Sequence, residues 1–151
     1  MDEDIGALVD RIRRHFDDGC FVCGRDNPIG LHLDDFRLGA DGEVSARFSP
    51  RSGYRGAGTT LHGGVAAAAL DEILVWAGLL NEKVLTVTGK LELRFSRPLH
   101  VHEDVTARSR VDEMSGKRMR ASGELLVDGE VRTQASGLFL VSADLAEMGV
   151  L

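Results

Sequence analysis

The chain has 151 residues, of which 43% are hydrophobic and 28% charged; this suits one folded domain and excludes a disordered chain. Its net charge of −6 argues against general nucleic-acid binding but leaves room for an anionic ligand held by a local group of Arg and Lys. The acidic start Met1-Asp2-Glu3-Asp4 is not that of a signal peptide, and two cysteines without a targeting segment point to the reducing cytoplasm and to no membrane partner.

Residues 4–18 read as a helix, because Ile5, Leu8, Val9, Ile12 and Phe16 fall on one face at helical spacing. Acids at its start suit the helix dipole, and Gly19 suits its stop. Cys20 and Cys23 then form a Cys-x-x-Cys. Tetrahedral zinc needs four ligands, and only His15 and His32 lie nearby in the chain, so no metal is expected. The following Asn27-Pro28 and Gly30 are turn chemistry, which favours small buried thiols in a turn over a redox pair. Residues 31–38 and 43–48 read as strands joined by a two-residue Asp41-Gly42 turn. A loop rich in Gly, Arg and Ser, residues 49–58, leads into the dominant stretch, residues 59–80.

That stretch opens on small polar residues around His62-Gly63-Gly64. From Val65 it is apolar almost all the way round, which marks a buried helix, too short and too charged to span a bilayer. It carries two carboxylates, Asp71 and Glu72, which are costly inside a protein unless paired or hydrogen-bonded. Four strands follow. Residues 85–95 alternate through Leu91, Leu93 and Phe95, and the run ends before Pro98. Val105 to Val111, Met119 to Val127 and Val131 to Val141 alternate in the same way, with turns at Ser115-Gly116 and Asp128-Gly129. Two strands, one long helix and four strands leave only a curved antiparallel sheet of about six strands to wrap the central helix, an α+β arrangement.

This order of elements resembles the hot-dog fold, and within it the PaaI-like branch of acyl-CoA thioesterases. The resemblance covers about residues 20–141, as a single domain. It is carried by Cys-Phe-Val-Cys-Gly with Asn-Pro-x-Gly-Leu, by Leu-His-Gly-Gly with Ala-Leu-Asp-Glu, and by Phe95-Ser96-Arg97-Pro98. It implies that the acid nine residues after the motif histidine, Asp71, is catalytic. It also implies that a hydroxyl residue on the strand after the helix, Thr88, assists it. Some members have Asn six residues before that histidine, where this chain has Gly56. The resemblance further implies a homo-oligomer, a dimer or a dimer of dimers.

The residues add a chemistry of their own. Gly63 and Gly64 at the first helical turn offer backbone N–H groups at the positive dipole end, with no side chain to hinder a carbonyl; this is an oxyanion hole in the physical sense. Asp71 can act as general base on water or attack directly. Gly63 and Asp71 are eight residues apart, roughly 12 Å along a helix. Both can serve one carbonyl only if they come from two antiparallel subunits. Ala67 and Ala68, beside Leu61 and Gly64, leave space for an acyl group near Asp71, and Val75, Trp76 and Leu79 offer an apolar lining for an aromatic or medium chain. His62 is read as a helix cap and Glu72 as a structural ion paired with an Arg. Arg94, Arg97, Lys117 and Arg118 suit the phosphates of coenzyme A. No cofactor is expected. The alternatives are a non-catalytic acyl-CoA or acyl-carrier binding protein and an enoyl-CoA hydratase or dehydratase. The latter is disfavoured because His62 stands at the helix entrance rather than at the acid's position.

Overall fold

The computed structural model describes residues 4–151; the acids Asp2 and Glu3, expected to favour the first helix, lie outside the described residues. That helix, α1, runs Ile5–His15. Asp4 caps it, accepting from the N–H groups of Gly6 and Ala7 at 3.0 and 3.4 Å. Leu8, Val9 and Ile12 are buried as their spacing requires. The helix ends three residues earlier than expected, because Asp17 and Asp18, not Gly19, take the left-handed conformation (φ 56° and 54°).

The sheet has six strands: β1 (Asp34–Leu38), β2 (Val44–Phe48), β3 (Val84–Phe95), β4 (Val105–Ser115), β5 (Arg118–Val127) and β6 (Glu130–Asp144). All neighbours are antiparallel, in the order β1-β2-β4-β5-β6-β3, so β1 and β3 are the edges. β1 is shorter than its apolar pattern suggests. Leu31 and Leu33 are buried but pair with the backbone of Phe21 and Val22, and left-handed His32 breaks the extended run. The Asp41-Gly42 turn is longer than two residues, since the chain bridges Leu38 to Val44 and Gly39 N–H bonds the Glu43 carbonyl at 2.8 Å. The turn between β4 and β5 centres on Gly116 and Lys117, one residue on from expectation. Asp128-Gly129 is the expected tight hairpin, with φ of 50° and 78°.

Helix α2, Gly63–Asn81, lies across the concave sheet face. By length and apolarity alone it could cross a membrane, contrary to the sequence reading. What assigns it to the core is that Ala69, Leu70, Ile73, Leu74, Trp76 and Ala77 are at most 1% exposed against the sheet. Sheet and helix meet closely at two points that need small residues. A Cβ on Gly123 would come within 2.5 Å of the Arg108 carbonyl oxygen and 3.0 Å of Leu74 Cδ2. A Cβ on Gly78 would meet Met119 Sδ at 2.9 Å. The buried Ser109 hydroxyl donates to the Ile73 carbonyl at 2.7 Å, which fixes how far along the sheet the helix sits. Beyond β6 the chain returns to α1, where Leu145 and Val150 are buried and Arg11 Nε donates to the Val150 carbonyl at 3.1 Å.

Candidate active site

Two points on α2, its N-terminus and its middle, carry the groups that the sequence singles out. At the N-terminus His62 is the cap, its Nδ1 accepting from the Gly64 N–H at 2.9 Å. This corrects the expectation of two free amides: His62 occupies one, and the Gly63 N–H has no acceptor among the described residues. Gly63 is exposed and faces Phe95; a Cβ there would stand 3.6 Å from the ring. A cleft of about 280 Å³ lies beside it, lined by Leu61, Gly63, Ala66, Phe95, Arg97 and Leu99 among others. Gly56 packs under the motif, 3.4 Å from its Cβ direction to His62 Cα, and its N–H bonds the Thr60 carbonyl at 2.7 Å. Gly56 therefore shapes the loop beneath the helix entrance.

Two turns on, Asp71 is partly buried and accepts a hydrogen bond from Thr88 Oγ1 at 2.6 Å. Thr88 is on edge strand β3 and exposed, so the pair opens outward where β3 has no neighbour strand. Ala67 and Ala68, one turn back from Asp71, are partly buried. Within the chain the Gly63 end and the Asp71 end are separated along both elements: Gly63 adjoins Phe95, Asp71 adjoins Thr88, and seven strand residues span roughly 23 Å.

The four basic residues do not form one cluster. Arg94 and Arg97 stand at the Phe95 end of β3, and Arg97 is paired with Glu130 at 3.1 Å. Lys117 and Arg118 stand at the other end of the sheet: Arg118 lies opposite Leu140, and Leu140 opposite Val87. The sequence could not show this, because the separation is set by strand register.

Glu72 is the larger correction. No arginine is found against it among the described residues. Instead it accepts from Trp76 Nε1 at 3.1 Å and stands 3.5 Å from Cys20 Sγ. The Cys23 thiol, which donates to Cys20, lowers the Cys20 pKa to about 5. The same bond and burial raise that of Cys23. Burial, and then the charge on Cys20, push Glu72 up to about 7. These groups line a second cleft, of about 350 Å³, with Ile12, Phe16, Val75, Trp76, Leu79 and Leu85. The apolar side chains proposed for an acyl group are therefore in a cavity, with Glu72 at its wall. Trp76 itself is 1% exposed and stacked on Phe36, with ring centroids 4.2 Å apart. Val75, one turn beyond Asp71, lines this cleft.

Residues 58–133 match the model of the thioesterase superfamily. No curated protein matches the chain. Among solved structures, a thioesterase superfamily protein is 27% identical with a TM-score of 0.75; the match covers 81% of this chain but only 60% of that one. The PaaI protein of the phenylacetic acid degradation operon of E. coli is 12% identical with a TM-score of 0.74, over 92% of this chain and 96% of its own. A hypothetical thioesterase from Streptococcus pneumoniae, solved with coenzyme A, is 13% identical with a TM-score of 0.67, over 73% and 89%. With these neighbours the sheet wrapped around α2 is the hot-dog fold.

Proposed function

The chain belongs to the thioesterase superfamily, and on that premise we propose that it hydrolyses the thioester of a small, aromatic or medium-chain acyl-CoA. The observation that carries this reading is the Asp71–Thr88 hydrogen bond of 2.6 Å at the open edge of the sheet. A carboxylate held by a hydroxyl beside the solvent is fixed in direction yet reachable by water and substrate. Asp71 draws a proton from the attacking water and passes it to the departing sulfur of coenzyme A; alternatively it attacks the carbonyl carbon itself, coenzyme A leaves as the thiolate, and water then hydrolyses the acyl–aspartyl anhydride and supplies the proton that the thiolate takes up. The Gly63 N–H, at the positive end of α2, receives the oxygen that becomes anionic. His62 positions that turn by capping it. That a neighbour of the same fold was solved with coenzyme A, and another from Streptococcus mutans with acetyl-CoA, supports the ligand class.

The same reading requires two copies. Gly63 and Asp71 lie about 12 Å apart along α2, beyond the span of one reacting carbonyl. An antiparallel pair of β3 edges places the Gly63 end of one protomer beside the Asp71 end of its partner. Such a pair also brings Arg94 and Arg97 of one protomer toward Lys117 and Arg118 of the other, which joins a split set of phosphate partners. The exposed apolar side chains Val87 and Phe95 on β3, 54% and 56% exposed, suit a face that becomes covered.

The test is an acyl-CoA panel read by released thiol, with wild type and Asp71→Asn. Wild-type turnover that falls by about 10²- to 10⁴-fold in the variant, with unchanged circular dichroism, supports the role. Normal turnover in Asp71→Asn removes it, and tight binding without thiol release identifies a non-catalytic acyl-CoA binding protein instead.

A further inference from the structure

Histidines close in the chain do not complete a zinc site with the Cys-x-x-Cys. In the fold His32 Nε2 is engaged with the Asn27 carbonyl at 2.8 Å, and His15 stacks edge-on against Phe16. The third donor comes from far along the chain. The Sγ atoms of Cys20 and Cys23 and a Glu72 carboxylate oxygen all lie within 4.8 Å of one another. Ligands of one tetrahedral zinc ion stand roughly 3.5–4 Å apart, given bond lengths near 2.0–2.3 Å, so closing the set needs donor separations to shorten by about an ångström at most.

The surroundings are built as a metal site is built. Cys20-Phe21-Val22-Cys23-Gly24 folds into a tight loop in which the Val22 N–H points at Cys20 Sγ, 3.4 Å away, and the Gly24 N–H bonds the Cys20 carbonyl at 2.9 Å. Only glycine fits at position 24, since a Cβ would overlap the Asp18 carbonyl oxygen and the Cys20 backbone. Outer contacts hold the donors. Trp76 Nε1 fixes Glu72, and the buried Arg13 donates through Nε to the Cys23 carbonyl at 3.1 Å, through Nη2 to the Leu33 carbonyl at 2.9 Å, and pairs with Asp34 at 3.0 Å. Second partners of this kind orient ligands in metal centres. The donors join two separate parts of the chain, the loop after α1 and the middle of α2, and Arg13 ties α1 to that loop.

We propose that Cys20, Cys23 and Glu72 bind one zinc ion, with the fourth position filled by a water in the adjoining cleft of about 350 Å³. Two thiolates select a soft divalent ion over magnesium or calcium. Three protein ligands facing a cavity leave one position open, unlike a closed four-ligand site. The ion staples the N-terminal segment to α2 one residue from Asp71, without itself being required by the hydrolytic reading.

Zinc alone is titrated into metal-stripped, reduced protein against a chromophoric chelator, and cobalt serves as the spectroscopic stand-in. The expected result is one ion per chain, a thiolate-to-cobalt charge-transfer absorption, and a higher melting temperature on adding zinc. Cys20→Ser and Cys23→Ser abolish the absorption. Glu72→Gln, isosteric and still able to accept from Trp76, keeps the fold and the absorption but weakens zinc by more than about tenfold. The proposal is overturned if wild type takes up no zinc, if cobalt gives no thiolate absorption, or if Glu72→Gln binds zinc as tightly as wild type.

Discussion

At the scale of single residues, the candidate site divides into one acid with its donor and one amide with its cap. Thr88 acts through Asp71, to which its hydroxyl donates at 2.6 Å, and so is a positioning residue. Thr88→Val removes the hydroxyl at almost constant volume. A hydrogen bond to a charged group is worth about 1.5–3 kcal/mol, so kcat should fall by roughly tenfold or more with little change in melting temperature. A kinetic split checks it: kcat falls while KM is held. His62 acts through backbone geometry. His62→Ala should cost about 1 kcal/mol in urea unfolding, as loss of a helix cap does, and His62→Asn should restore most of it. If His62 did chemistry directly, Asn would rescue stability but not turnover.

At the scale of elements, α2 and the sheet are fitted to one another through small residues. Gly123→Ala places a methyl against the Arg108 carbonyl, where backbone rather than a flexible side chain must yield. A loss of about 1–3 kcal/mol in denaturant unfolding is expected, without change in oligomeric state. Gly63 is different. Its added Cβ would find ordinary contact distance to Phe95, so Gly63→Val should leave the fold intact and obstruct only the approach to its N–H. The helix is therefore held tightly in its middle and left open at its entrance, which suits an element that is both core and site wall.

At the scale of the whole molecule, the twelve-residue edge strand β3 has no neighbour on its outer side. Val87→Lys should drive a dimer to monomers in sedimentation and abolish turnover with it. Mixing gives a sharper outcome. Asp71→Asn and Gly63→Val protomers, each inactive alone, should regain activity when exchanged into heterodimers, because one of the two composite centres then holds both an intact acid and an intact amide. No recovery, with heterodimers demonstrated by mass spectrometry, would place the acid and amide in the same protomer.

Local pattern determined much of this protein by itself. Helical and alternating periods marked α1, α2 and all six strands, and the His-Gly-Gly entrance and Asp71 were recognisable because motif spacing is written along one helix. Where sequence reading slipped, the deciding contact was remote or conformational. Left-handed Asp17, Asp18 and His32 set the limits of elements that apolar spacing alone leaves longer. The basic residues fell into two groups because strand register, not proximity in the chain, sets their distance. Glu72 met Cys20 and Cys23 because packing of α1 and its loop against α2 closes a gap of about fifty residues, and chain neighbours carry no information about such a closure. Local backbone preference acts within a few residues and so is legible in the sequence; which side chains share a pocket is decided only when the helix and sheet are pressed together.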